Sequence, residues 1–341
     1  MNPPLGHQDV LDLLQRTVSE GRPAHSYLFT GREGIGKKLV AMRFAAMLNC
    51  PQLQEDLDAS CNVCRRICAE KHPDVIIEKP LRGMIRIDRV RSIQGFFQYA
   101  PVEARYRVAV IDDAHSMNRS AQNALLKTLE EPPMGRMLLL VTSKPFLLLP
   151  TVRSRCRRIR FGPIEPGILA KILEERGLDP KKASLLAGMS SGSVARALEI
   201  NTSNFLDLRR RVIEALTDSR NIGIRGNLEL STEISKDRSM ALNAIGIALS
   251  WVRDLLVARE GSSLSGCVNS DLLDRIVSSA EHHTREQLFF VYDELVKASD
   301  LIESEINVNR NLVMDVLLLR IRRMLAGASM GILARSSADE R

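Results

Sequence analysis

The sequence predicts an α/β protein in two parts: a parallel-sheet domain carrying a phosphate-type glycine loop, then a region of helices alone. Three patterns carry that expectation. Over residues 1–163, short apolar runs of strand length alternate with segments of helical period, the pattern of a parallel sheet with crossover helices. One of those runs, Ser26-Tyr27-Leu28-Phe29-Thr30, leads directly into Gly31-Arg32-Glu33-Gly34-Ile35-Gly36-Lys37-Lys38, after which the pattern turns helical. From about Ser203 onward only the helical period is present.

In order, helical spacing over Val10–Val18 is broken by Gly21-Arg22-Pro23, and the strand Ser26–Thr30 precedes the glycine loop. A helix runs from Lys37 through Val40, Phe44 and Leu48. A strand is expected at Val75–Glu78, and a helix from Ile87 with Asp88 near its start. Arg107–Asp113 is an apolar strand ending in two acids. Asn118–Glu131 is a helix stopped by Pro132 and Pro133, and Met137–Val141 is a further buried strand. Phe161-Gly162-Pro163 marks a boundary. Beyond it, residues 164–203 read as a small helical domain with breaks at Gly177 and Gly188 and a helix opening at Ser193. Residues 204–327 read as an all-helical domain, with helices at Leu206–Leu216, Met240–Arg259, Leu272–Ala280, Arg285–Ile302 and Leu312–Leu325. Residues 328–341 read as a disordered tail.

Composition narrows the function classes. At 341 residues, two or three domains are expected. Aromatic residues at 4% argue against a base-stacking single-strand binder, while a net charge of +7 permits a polyanion partner without demanding one. The N-terminus lacks a signal-peptide pattern and no apolar run approaches a membrane span, so a cytoplasmic protein with no membrane partner is expected. In that compartment six cysteines read as thiols or metal ligands.

The chemistry concentrates in three places. The loop fits G-x-x-x-x-G-K-[ST] at Gly31, Gly36 and Lys37, but its last position is Lys38, which has no oxygen to offer Mg²⁺. The candidate nucleotide-binding residues are Gly31, Gly34, Gly36, Lys37 and Lys38, with Asp112 and Asp113 at the end of the later strand. There an Asp can hold Mg²⁺ and the next carboxylate can polarise water. Asp113 is a methylene shorter than Glu. A glycine turn used only for packing, and a strand-end acid pair that caps a helix, are the plainer alternatives. The second place is Cys50, Cys61, Cys64 and Cys68 in an inserted module at 50–68. Four thiols on this spacing match a closed structural Zn²⁺ site, against buried thiols or a redox pair; His72 reads as the entry to the next strand. The third is Arg153, Arg155, Arg157, Arg158 and Arg160 around Ser154-Arg155-Cys156. These read either as a solvated basic edge or as a source of an arginine that stabilises phosphoryl charge on another subunit. Arg86, Arg89 and Arg91 pose the same choice between solvated face and phosphate contact.

Taken together, these segments resemble the clamp-loader AAA+ proteins of the bacterial DNA polymerase III holoenzyme. The likeness rests on Gly6-His7-Gln8, His25 through Gly31, the four cysteines, Ile111-Asp112-Asp113-Ala114, Asn123 through Pro133, Ser154-Arg155-Cys156 and Gly192 through Leu198. Trp251 through Leu256 and Asn309 through Leu319 extend it into the last domain. The resemblance implies a P-loop AAA+ domain with an inserted zinc module, a helical lid with Arg196 as sensor arginine, and a C-terminal collar for oligomerisation. Two kinds of subunit share that layout. ATPase subunits (gamma/tau) carry a full G-K-[ST] and an Asp-Glu pair; the delta-prime kind has a degraded ATP site and an intact S-R-C arginine. Lys38 and Asp113 depart in the delta-prime direction, and the sequence ends without a tau-type extension. The resemblance therefore implies a hetero-pentamer with delta and gamma/tau subunits, part of a DNA polymerase holoenzyme and nucleoid-associated. Such a complex loads the sliding clamp onto primed DNA. It also implies structural Zn²⁺, ATP/Mg²⁺ bound without hydrolysis by this chain alone, and Arg155 acting in trans. An ATP-hydrolysing gamma/tau-like subunit and a scaffold that never binds nucleotide are the competing readings.

Overall fold

The structure is a computed structural model and describes residues 6–50, 52–53, 61–201, 205–217, 223–261, 264–303 and 308–325; the expected tail at 328–341 lies outside them. The chain divides into two compact units, Met1–Ala183 with Ser191–Arg196, and Ser184–Ser190 with Ala197–Arg341.

The first unit is built on a five-stranded sheet, β1 (Ser26–Thr30), β2 (Val75–Glu78), β3 (Arg107–Ile111), β4 (Arg136–Thr142) and β5 (Arg157–Arg160), in the order β2-β3-β4-β1-β5. All pairings are parallel, with Phe29 of β1 opposite Val141 of β4 and Ile159 of β5. Residues alternate across a strand, so the inner strands must be apolar on both faces. Tyr27 and Phe29 join α1 (Gln8–Ser19) and α2 (Lys37–Asn49) in one core, and Leu28 joins α4 (Ile87–Gln98) and α5 (Arg119–Glu130) in the other. Between α2 and β2, α3 (Asn62–Cys68) packs on α2. Asn118 caps α5, accepting from the Ala121 N–H at 2.8 Å. The expected strand at Arg107–Asp113 ends at Ile111, which leaves both acids beyond the sheet.

Two elements of this unit were not expected. Strand β5 has one buried residue, Ile159, among three exposed arginines, so it carries almost no apolar signal. It is an edge strand, where charge is tolerated and discourages further pairing. A single helical turn, α6 (Pro150–Arg153), precedes it.

Helices α7 (Pro166–Glu174), α8 (Pro180–Met189) and α9 (Val194–Ile200) follow, and the division between units runs through the last two. Helix α8 ends at Met189, one residue past the break expected at Gly188.

The second unit contains α10 (Phe205–Thr217), α11 (Gly223–Ile234), α12 (Arg238–Arg259), α13 (Leu273–Glu281), α14 (Arg285–Glu303) and α15 (Arg310–Leu325). Helix α12 packs against α10, α13 and α14 with Trp251 fully buried. Contrary to the sequence expectation, α12 is long and apolar enough by length and composition to cross a membrane, but its apolar positions line this helical core. Its buried Asp254 accepts from the Val268 and Asn269 N–H groups at 3.0 and 2.7 Å, and from Asn269 Nδ2 at 2.8 Å. Asn269 Oδ1 in turn accepts from Arg209 Nη2 at 2.9 Å, and Arg209 pairs with Asp271 at 2.7 Å. A satisfied polar chain thus fastens the irregular segment before α13 onto α10 and α12.

Candidate functional site

The glycine loop leaves the carboxyl end of β1, and Asp112 and Asp113 follow β3 at the same edge of the sheet, with β4 between. This is the edge where open parallel sheets bind ligands. Gly34 and Gly36 have φ of 73° and 91°, which side chains rarely adopt, and Gly36 caps the N-terminus of α2. The loop is held from behind by His7: its Nε2–H donates to the Ile35 carbonyl at 2.7 Å and its ring lies edge-on to Phe161. Burial holds the His7 imidazole below its usual range, so it stays neutral at pH 7.

The other side of the loop faces the segment before α9. The Ala195 N–H donates to the Gly34 carbonyl at 3.3 Å, and a Cβ built on Gly34 would stand 2.3 Å from Ser193 Oγ, so only glycine allows this approach. Ser193 Oγ accepts from the Arg196 N–H at 3.2 Å, opening the helix where the sequence placed its start; the Arg196 side chain is half-buried. Lys37 is buried and its ammonium donates to the loop's own Arg32 carbonyl. Desolvation lowers its pKa, partly offset by Asp113, Glu33 and Asp112.

Lys38 does what a hydroxyl could not. Its Nζ donates to Glu70 Oε1 at 2.9 Å and lies 3.9 Å from Asp112 Oδ2. Glu70 also accepts from Lys79 at 2.9 Å, and the two ammonium groups hold its carboxyl below the usual range. Asp112 is raised by burial and by Asp113, with Lys38 acting the other way. Asp113 takes a left-handed conformation, φ 46°, while Asp112 Oδ1 accepts its N–H at 3.1 Å. Its side chain caps no helix, so the plainer capping alternative is not what the structure builds. At the end of β4, Thr142 Oγ1 accepts from the Lys144 N–H at 3.1 Å and meets His115 Nδ1 at 3.2 Å. Neither Glu70 nor Lys79 carries a sequence signal for this site; they reach it only through the packing of α3 and the position of β2.

Of the four cysteines, Cys50, Cys61 and Cys64 converge, with sulfur separations of 3.3 Å for Cys50–Cys61 and 3.6 Å for Cys61–Cys64. A regular tetrahedron of thiolates with ~2.3 Å Zn–S bonds has sulfurs ~3.8 Å apart, so the donor set and spacing fit Zn²⁺. Cys61 is the N-cap of α3, its Sγ accepting from the Cys64 N–H. Burial pushes Cys61 up, but the bonds from the Cys64 N–H and the Cys50 thiol more than offset it; burial pushes Cys64 up to about 12. Cys68 ends α3 one turn beyond Cys64 and lies outside the converging three. His72 is occupied elsewhere, with Nδ1 accepting from the Asp74 N–H and Nε2 3.3 Å from Glu103.

Arg155 stands in the turn between α6 and β5. Its Nη2 pairs with Glu130 Oε1 at 2.7 Å, and Nη1 donates to the Thr151 carbonyl at 3.0 Å. Glu130 lies within the Asn123–Pro133 run, so the sequence contained the partner without indicating the pairing. Arg153, Arg157, Arg158 and Arg160 are exposed, as are Arg86, Arg89 and Arg91, with Arg89 3.7 Å from Glu78.

The family profile described as DNA polymerase III, delta subunit, matches residues 6–165, and the profile for the C-terminal part of that subunit matches residues 203–323. The chain belongs to the DNA polymerase III delta-subunit family. Delta-family relatives match along nearly its whole length. The DNA polymerase III subunit delta' of Bacillus subtilis is 28% identical over 303 residues, covering 88% of this chain and 92% of that protein. The delta' subunit of Pseudomonas aeruginosa is 28% identical over 310 residues, covering 87% and 91%. The DNA polymerase III subunit tau of Escherichia coli is 34% identical over 206 residues, but this covers 58% of the chain and 31% of that protein.

Proposed function

We propose that the chain works as the delta-prime subunit of a DNA polymerase III clamp loader. In this reading it hydrolyses little or no ATP and supplies Arg155 to the nucleotide of a neighbouring gamma/tau ATPase subunit. The observation that carries the reading is the ammonium of Lys38 beside Asp112, where an ATPase of this loop type would hold Mg²⁺. A P-loop metal needs the hydroxyl that position 38 lacks, so the residues do not fit a conventional Mg²⁺–ATP site, and no hydrolytic step is assigned to this chain. Full-length likeness to delta' proteins supports the same reading.

The contribution to a neighbour follows from Arg155. A guanidinium placed beside a phosphoryl group stabilises charge that builds up during transfer. Arg155 is partly exposed, and its ion pair with Glu130 is of the surface kind, worth at most about 1 kcal/mol, so a neighbour's phosphate can displace Glu130 cheaply. The partners in this reading are delta and gamma/tau subunits in a hetero-pentamer, the sliding clamp and primed DNA. The proposed layout is an AAA+ domain at 1–163, a lid at 164–203 carrying Arg196, and a collar at 204–327. Zn²⁺ is proposed as a structural ion on Cys50, Cys61, Cys64 and Cys68; with every ligand a thiolate it would leave no position for water, so its role is to fold the insert.

The test is a loader reconstituted with Arg155→Ala. ATP turnover and clamp loading should fall sharply, because the site served in trans loses a contribution on the order of 10³–10⁵ in rate. Full activity of the mutant complex would remove the trans role. The gamma/tau-like alternative draws on the retained Gly31, Gly36 and Lys37 and on the likeness to tau.

A further inference from the structure

Two cations sit where the phosphate loop, the cysteine insert and β2 meet. Lys38 Nζ bridges Glu70 at 2.9 Å and Asp112 at 3.9 Å, and Lys79 Nζ reaches both Glu70 oxygens, at 2.9 and 3.0 Å. In a loop of this type a divalent metal lies between the residue at position 38 and the strand-end Asp, bridging phosphate oxygens. Here that gap is spanned by a covalently attached ammonium.

An ammonium already paired with Asp112 repels a divalent ion and supplies no ligand for it. It does supply N–H donors and positive charge to a phosphate. Lys37, Lys38 and Lys79 stand against Glu70, Asp112 and Asp113, with Glu33 also acting on Lys37, and Lys37 is at the N-terminus of α2, where backbone N–H groups favour anions. An incoming polyphosphate therefore meets donors and a cation with no metal required. A metal-chelated nucleotide brings less negative charge and a second cation that has no seat.

We propose that this loop is a metal-independent site for the polyphosphate of a nucleoside di- or triphosphate, with the Lys38 ammonium standing in place of Mg²⁺. The proposal rests on the reading of Gly31–Lys38 as a phosphate cradle, but not on the role of Arg155. Lys38 is a binding residue here, Asp112 orients it from the strand end, and Glu70 holds it from the insert. The site is then fixed in one charge state, with no metal to gain or lose.

The test is calorimetric titration of the purified full-length chain with ADP and with ATP, once in excess EDTA and once in saturating Mg²⁺, alongside Mn²⁺ binding read by electron paramagnetic resonance. The wild type should bind nucleotide in EDTA, with an affinity in Mg²⁺ no more than threefold tighter, and should hold no Mn²⁺ beside it. Lys38→Thr supplies the missing hydroxyl and removes the ammonium; it should show at least a tenfold tightening by Mg²⁺ and a new bound-Mn²⁺ signal. Lys38→Arg keeps the charge and should remain metal-indifferent, which separates loss of the cation from a disturbed fold. A wild type that needs Mg²⁺ or binds Mn²⁺ at this site would overturn the proposal, as would a folded Lys38→Thr chain indistinguishable from wild type. No binding in either buffer would overturn it together with the cradle reading, while leaving the Arg155 reading to its own reconstitution assay.

Discussion

Two ion pairs in the first unit show how differently a carboxylate can be used. Asp74 is fully buried, and it accepts from the Val102, Glu103 and Ala104 N–H groups at 2.9–3.0 Å and from Arg107 Nε at 3.1 Å. It fastens the segment entering β3 onto the start of β2. Burial pushes this carboxyl up, but three backbone donors and a guanidinium more than offset it, and the pKa lies below the usual value. A carboxylate whose folded pKa is depressed gives stability that is complete above its unfolded pKa, about 3.9, and is lost as pH falls through the folded value. Asp74→Ala should therefore cost about 3–5 kcal/mol at neutral pH, because it also strands the buried Arg107. Chemical denaturation should show the gap between variant and wild type narrowing below pH ~4. A loss under ~1 kcal/mol would mean that water replaces the carboxylate. Glu130, paired with Arg155 at the surface, is the contrast. Glu130→Ala should change stability by less than ~1 kcal/mol, and in a reconstituted loader it should leave ATP turnover intact or raise it, since Arg155 is released rather than removed.

At the scale of elements, the insert shows what spacing can and cannot reveal. The Cys61–Cys64 pair was legible because three residues along a helix start return a side chain to the same face, with Cys61 capping the turn. Cys50 was also named from its nearness in sequence, and it joins them because the end of α2 meets the start of α3; Cys68, named on the same ground, lies outside the converging three. One Zn²⁺ per chain is expected by elemental analysis, with Cys61→Ser losing both the metal and thermal stability. A metal-free wild type of unchanged stability would refute the site. Cys68→Ser decides between a three- and a four-thiolate site: loss of metal comparable to Cys61→Ser supports four, and retention supports three. Two other elements escaped the sequence for reasons that can be named. Strand β5 has only Ile159 to bury, so its pairing with β1 and not its own pattern makes it a strand. Helix α11 was not singled out within the helical region; it carries Gly223 and Gly226, poor helix formers, in its first turn, yet it buries Leu230 and Ile234.

For the molecule as a whole, the parallel sheet, its apolar inner strands and the placement of the glycine loop and strand-end acids at one edge were legible, because each depends on period and order along the chain. The network that decides chemistry at that edge was not legible. Lys38 was visible as a missing hydroxyl, but its partner Glu70, and Lys79, which shares that carboxylate, come from separate elements brought in by packing. The distinction matters for what the chain does alone. An autonomous ATPase would use Asp112 for metal and Asp113 for water, yet Lys38 stands beside Asp112 and Asp113 leaves the strand in a left-handed turn. The purified chain should therefore show ATP turnover indistinguishable from a Lys37→Ala control, with or without primed DNA. Turnover should appear when gamma/tau subunits are added, and should then depend on Arg155. DNA-stimulated hydrolysis by this chain alone, abolished by Lys37→Ala, would instead establish the gamma/tau-like reading. Two residues separate the outcomes, because Lys37 serves only this chain's own loop whereas Arg155 serves, in the proposed assembly, the loop of a neighbour.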